Sequence, residues 1–372
     1  MRLVFTLFIG SLVTFLMTGF TLHSQIETDD LFDEDVQVSQ SHDYSEEFIV
    51  FCEDIIGKSF SKISDIDRDE CLFSFWTEDM ELEAIENSDN NLHIDDGLTD
   101  QQKNLLGDLG SWPEGIDDVY SLKSGALFSR RSADDGSGTV PFFCSGSSVK
   151  AGEESMVVTA GHCIHEGRNG DFHTEVIFVP NYDPYRNLRD THGRYKVEQL
   201  FVLDGWVDHG ERDPDAASPP EASNSDVGMG IPRRIGYDFY PSLREMVGGY
   251  DIAFDQSLEF NATVIGYPAL RHWVPEPPRR MLSCAGDTSL YIFGGVFDQY
   301  LGSELQNCSM DYGASGGAWL SDFDEQTGEG VLRSISVNSI VTDDGDYSIT
   351  SPRFQDDVER MYKHVSRLME EP

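Results

Sequence analysis

Basic residues are scarce in this chain: 26 lysines and arginines stand against 67 aspartates and glutamates over 372 residues, a formal net charge of −41 at neutral pH. A surface of that sign repels phosphate over most of its area, which excludes nucleic acid and anionic membrane as electrostatic partners. The six cysteines show no Cys-x-x-Cys spacing, so neither a zinc site nor any other metal or cofactor is expected. The acid run Thr342-Asp343-Asp344-Gly345-Asp346 lacks the full pattern of an EF-hand loop and reads as a solvated turn. After Phe20 no apolar run is long enough to cross a bilayer. A regular alternation of strand and helix patterns is missing too, which argues against a parallel α/β sheet.

Residues 1–24 have the layout of a secretory signal: Met1-Arg2, an apolar run from Leu3 to Phe20, then the short polar stretch Thr21-Leu22-His23-Ser24. Its removal would leave a soluble protein, secreted or periplasmic, with no membrane contact. Export also suits an even number of cysteines, which an oxidising compartment pairs. Residues 25–120 are acidic, with only Lys58, Lys62, Arg68 and Lys103 as basic residues. Within them Phe48-Ile49-Val50-Phe51-Cys52 and Cys71-Leu72-Phe73-Ser74-Phe75-Trp76 carry enough apolar surface for a small unit stapled by a Cys52–Cys71 bridge. This region reads as a pro-segment or accessory unit, cut from the remainder near Lys123 or at Arg130-Arg131.

From 121 to 372 the texture changes to short β-branched runs broken by Gly, Pro, Asn and Asp, the pattern of an all-β domain. Examples are Met156-Val157-Val158-Thr159, Glu175-Val176-Ile177-Phe178-Val179 and Ala262-Thr263-Val264-Ile265-Gly266. Only the end differs. Val358, Met361, Tyr362, Val365 and Leu368 recur at helical spacing and predict an amphipathic C-terminal helix.

The chemistry lies in two glycine-flanked segments. Thr159-Ala160-Gly161-His162-Cys163 presents an imidazole directly after a strand, and Gly313-Ala314-Ser315-Gly316-Gly317 presents a hydroxyl in a tight turn. A serine needs a base to take its proton as it attacks a carbonyl carbon, and imidazole titrates in the right range for that exchange. His162 is expected as the base and Ser315 as the nucleophile. The glycines around Ser315 let the Gly313 and Ser315 amides point at one spot, an oxyanion hole. A Cys144–Cys163 bridge would tie the histidine turn to the strand carrying Phe143-Cys144-Ser145-Gly146-Ser147, which leaves Cys284 and Cys308 to pair with each other. The third member must be a buried carboxylate. Asp226 and Asp251 both stand on strand-like segments between His162 and Ser315, and order alone leaves the choice open.

These motifs, with Gly266-Tyr267-Pro268 and Cys308-Ser309-Met310-Asp311-Tyr312 ahead of the Ser315 turn, resemble the chymotrypsin-like serine peptidases, in particular their secreted glutamyl-endopeptidase-like branch. The resemblance covers about residues 125–341. It implies two six-stranded antiparallel β-barrels with a Ser-His-Asp triad in the cleft between them, and it selects Asp226 as the acid. It also implies a primary pocket lined by Ser309, Met310 and Asn338. Two departures stand out. Ala314 replaces the aspartate with which many trypsin-like enzymes bind a freshly cut N-terminus, and Ser336-Val337-Asn338-Ser339 stands where glutamyl endopeptidases carry a histidine. The expected function is a secreted serine endopeptidase acting on protein or peptide substrates through an acyl-enzyme. The alternatives are a catalytically silent binding protein on the same scaffold and, less well supported, an esterase. Assembly state is not legible in the sequence.

Overall fold

The computed structural model describes residues 35–39, 44–89, 117–119, 121–133, 135–183, 192–210, 219–235, 241–268, 280–294, 299–341 and 347–370. The expected signal at 1–24 and the acid run at 342–346 lie outside these residues. Among the described residues no helix is long and apolar enough to cross a membrane.

The N-terminal part opens with a short strand, β1 (Val36–Val38), followed by three helices, α1 (Glu46–Ile56), α2 (Asp65–Phe75) and α3 (Glu78–Asp89). Local chemistry sets their ends. Ser45 Oγ accepts from the Phe48 amide and Ser64 Oγ from the Asp67 amide, each satisfying an amide that has no partner within its own helix. Gly57 closes α1 in the left-handed conformation at φ 70°. Phe48 and Cys52 of α1 are buried, as are Cys71, Leu72 and Phe75 of α2.

Here the structure corrects two expectations. Cys52 and Cys71 do not form a bridge: both are free, buried thiols in hydrogen-bond contact with each other. Burial pushes both thiol pKa values up, so neither sulfur is held as the reactive thiolate. Nor do the helices form a separate stapled body. Asp33–Pro372 is one compact unit, and Trp76 at the end of α2 packs 5.7 Å from Phe128 in the following domain.

β2 (Asp117–Asp118) precedes β3 (Ser124–Ser132), β4 (Thr139–Ala151), β5 (Glu154–Thr159), β6 (Thr174–Pro180), β7 (Tyr195–Leu203) and β8 (Gly228–Arg234). Strands β7, β6, β3, β4, β5 and β8 pair in that order and β8 returns to β7, closing a six-stranded antiparallel barrel; β1 pairs with the far end of β7. Two short helices, α4 (Asp204–His209) and α5 (Pro220–Asn224), lie between β7 and β8, and α6 (Leu243–Val247) follows β8. At both expected activation sites a basic side chain is packed in. Lys123 is 6% exposed, with Nζ donating to the Gly328 carbonyl and to Glu329, and Arg130 lies buried toward the end of β3.

The second half contains β9 (Asp251–Ile252), β10 (Asn261–Gly266), β11 (Leu282–Asp287), β12 (Ser289–Gly294), β13 (Gln299–Gln306), β14 (Ala318–Asp324), β15 (Glu329–Ile335), β16 (Asn338–Val341) and β17 (Tyr347–Pro352), then the terminal helix α7 (Asp356–Glu370). Among the described residues its hydrogen bonds define two sheets. They form one sheet in the order β2-β11-β10-β14-β15-β9 and another in the order β12-β13-β17-β16. Residues of both sheets share one core, with Val264, Leu282, Trp319, Leu305 and Ile349 in it, and the Cys284–Cys308 disulfide lies within that core. Helix α7 buries Val358, Met361 and Val365 in the main core, and Tyr362 Oη donates to the Lys150 carbonyl of β4.

Candidate active site

His162 sits in the single turn Gly161–Cys163 that follows β5, and the Cys144–Cys163 disulfide fastens this turn to β4. Gly161 is required by close approach: a Cβ there would lie 3.0 Å from Asp226 Oδ1 and 3.2 Å from the Trp206 ring. Trp206, on α4, donates from Nε1 to the His165 carbonyl and holds its ring centre 6.1 Å from that of His162.

Asp226 lies between α5 and β8 and is 5% exposed. Its Oδ2 is 2.7 Å from His162 Nδ1, and its Oδ1 accepts from the His162 amide at 2.8 Å. A buried carboxylate can only accept from this ring, so Nδ1 carries the proton and Nε2 is left with the lone pair a base needs. Asp251 is elsewhere. It pairs with Lys150 Nζ at 2.8 Å with most of its side chain exposed.

Ser315 stands in the turn between β13 and β14. Its carbonyl accepts from the Ser145 amide at 2.8 Å, and the Gly316 amide donates to Ser336 at 2.8 Å. The turn is pressed against the residues just before the histidine: a Cβ on Gly316 would fall on Thr159 Oγ1 and 3.0 Å from the Ala160 amide nitrogen. Gly313 has φ 84°, and a Cβ there would meet the Tyr267 carbonyl oxygen at 2.6 Å and the Phe143 ring at 2.9 Å. Only glycine combines that conformation with that clearance. Among the described residues the Gly313 and Ser315 amides have no acceptor.

Ser145 joins these parts. Its Oγ donates to the Gly313 carbonyl at 2.7 Å and accepts from the Tyr267 amide at 2.8 Å, while its carbonyl accepts from Thr159 Oγ1 at 2.7 Å. Neither Ser145 nor Trp206 stands out in the sequence as a site residue. Ser145 lies in a segment read for its cysteine and its resemblance, with no role given to the serine, and no motif flags Trp206.

The three expected pocket residues differ in placement. Ser309 is buried with its Oγ unpartnered, and Asn338 is exposed at the start of β16. Met310 is turned into the second core with Ile349 and Trp319, because it adjoins the Cys284–Cys308 staple, and its carbonyl accepts from Ser339 Oγ at 3.1 Å. Ala314 is buried and brings no charge to the turn. Among the described residues the one grouping with metal-ligand spacing is Cys144, His162 and Cys163. Both of its sulfurs are in the disulfide, so neither can act as a thiolate ligand.

No protein-family model matches the chain, and no curated protein does. Solved structures do. The protease Anisep from Arthrobacter nicotinovorans is 22% identical with a TM-score of 0.53, the match covering 68% of this chain and 99% of that one. A thermostable serine protease, AL20, from an extremophilic microorganism is 25% identical with a TM-score of 0.52, the match covering 66% of this chain and 98% of that one. The closed barrel, the sheets of the second half, the terminal helix and these likenesses together give the chain the fold of the chymotrypsin-like serine peptidases.

Proposed function

We propose that this chain is an extracytoplasmic serine endopeptidase that cleaves peptide bonds through His162, Asp226 and Ser315. The observation that supports this most is the 2.7 Å contact of His162 Nδ1 with buried Asp226, beside a serine turn packed against Thr159 and Ala160. Ser315 Oγ attacks the scissile carbonyl carbon as His162 Nε2 takes its proton. The carbonyl oxygen, now negative, accepts from the Gly313 and Ser315 amides, and such a donor is worth about 3–4 kcal/mol in the transition state. His162 then protonates the leaving amine, an acyl-enzyme forms on Ser315, and water activated by the same imidazole hydrolyses it. Asp226 stabilises the imidazolium at each transfer. The two disulfides and the signal-like N-terminus support export.

A fluorophosphonate probe tests this reading. It should label the wild-type protein at Ser315, with Ser315→Ala abolishing both labelling and peptide hydrolysis and His162→Ala lowering kcat by about 10⁴-fold or more. A folded wild-type protein that leaves the probe untouched is a silent scaffold, and the proposal fails.

A further inference from the structure

The helices α1 to α3 meet the barrel through a continuous row of aromatic rings that ends on the Ser315 turn. Phe48 and Phe75 stand edge to face at 5.2 Å, Phe75 lies 6.2 Å from Trp76, and Trp76 lies 5.7 Å from Phe128 on β3. Phe128 is 5.2 Å from Phe143 on β4, and Phe143 meets Tyr267 edge-on at 6.4 Å. Phe143 and Tyr267 supply the ring and the carbonyl oxygen against which Gly313 is packed. The Tyr267 amide also donates to the Ser145 hydroxyl that holds the Gly313 carbonyl.

A polar set of contacts runs beside this row. Glu81 of α3, 0% exposed, accepts from Arg194 at 2.6 Å and from Tyr182 Oη at 3.0 Å. Arg194 donates as well to the Trp76 carbonyl, and the Tyr182 ring lies 5.2 Å from Phe128 and 6.4 Å from Tyr267. Both sets start on the N-terminal helices and converge on Tyr267. The helices share one buried apolar core with the barrel and are tied to it by these polar contacts, so they are not packed as a separate covering unit. The Ser315 turn has no charge at Ala314 to order it, so its shape depends on what packs behind Gly313.

We propose that the docked helices are a permanent part of the working enzyme and that Trp76 is a positioning residue: through Phe128, Phe143 and Tyr267 it holds Gly313, and with it the oxyanion-binding amides, in place. This rests on the serine peptidase reading above. Deleting the Trp76 ring opens space behind Phe128, the stack relaxes toward it, and Gly313 loses its backing. A displacement of about 1 Å in a catalytic group can cost roughly 100-fold in rate.

The test is made in the full chain. Trp76→Ala should lower kcat and the rate of fluorophosphonate labelling by about 10-fold or more while KM stays within about twofold, the split expected when only transition-state stabilisation is lost. Affinity for a peptide aldehyde, whose hemiacetal oxygen needs the same two amides, should weaken in parallel. Trp76→Phe should restore most of both, and Ile66→Ala, on the exposed face of α2, should change neither. If Trp76→Ala does not fold, Phe128→Leu must show the same pattern. Wild-type kcat and aldehyde affinity in the folded variant, a rise in KM alone, or an equal loss in Ile66→Ala overturns the proposal. The two readings fail separately: a wild-type protein inert to the probe removes the peptidase assignment, whereas a reactive wild type with an undiminished variant removes only the role of Trp76.

Discussion

Ser145 shows how much of a site can rest on one hydroxyl. Its Oγ donates to the Gly313 carbonyl and accepts from the Tyr267 amide, and its own backbone bonds to Ser315 and Thr159. Ser145→Ala keeps the backbone bonds but leaves two buried polar groups without partners, at a cost of about 1–3 kcal/mol each. Urea unfolding should show that loss. Steady-state kinetics should show kcat reduced about 10-fold with KM little changed, because the freed Gly313 carbonyl lets the turn shift. An alanine variant with wild-type kcat would remove Ser145 from the positioning set. At this scale sequence reading reached the reactive types and their order, because glycine-flanked histidine and serine segments are local signals. Order alone did not separate Asp226 from Asp251; the resemblance selected Asp226, and contact distinguishes the acid bonded to His162 from the one paired with Lys150. Ser145 and Trp206 escaped because their partners are distant in sequence: Tyr267 lies 122 residues beyond Ser145.

Among the elements, α1 and α2 give the clearest contrast between apolar content and its use. Of the two runs read as apolar material, Phe48, Cys52, Cys71, Leu72, Phe75 and Trp76 are buried, whereas Val50 and Phe73 are exposed. What the cysteines do there was not legible, because burial and an even count say nothing of whether two sulfurs are joined. Across the α1–α2 contact they remain thiols, with pKa values raised chiefly by desolvation. Thiolate is the species that exchanges with disulfides, so both should be inert while the helices stay docked. A dithionitrobenzoate titration should therefore find two thiols per chain after unfolding in guanidinium and almost none before. No thiol after unfolding would mean the bridge exists, and two fast-reacting thiols in the native protein would mean that α1 and α2 open freely. The same packing explains why a pro-segment boundary drawn from composition at residue 121 does not coincide with a gap in the core: apart from Asp69 and Glu81 the acids lie on the outer faces of these helices, and the inner faces belong to the barrel.

For the whole molecule, the all-β texture and the terminal helix were readable from short β-branched runs and helical spacing. Which strands of the second half pair was not, because partners there lie far apart along the chain, such as β10 with β14. Charge is the property that acts on this scale. Ion pairs such as Arg194 with Glu81 and Arg233 with Asp69 and Glu198 neutralise a few acids, but 67 acids against 26 bases leave the surface repelling itself. Repulsion between exposed charges is screened over a Debye length of about 10 Å at 0.1 M salt, while a buried pair such as Arg194 with Glu81 is screened far less. Sodium chloride should thus relieve the repulsion without dissolving the contacts that dock the helices. Raising it from about 0.05 to 0.5 M should increase Tm by a few degrees, since about 1 kcal/mol corresponds to roughly 2–4 °C for a domain of ordinary size. Over the same range kcat/KM should fall for peptides carrying lysine or arginine away from the cleaved bond and rise for acidic ones, because screening weakens the field that draws cations to the surface. Chloride is chosen over sulfate so that exclusion from apolar surface does not mimic the effect. A Tm that falls with salt would mean that attractive surface pairs outweigh the repulsion, and the charge argument would fail with it.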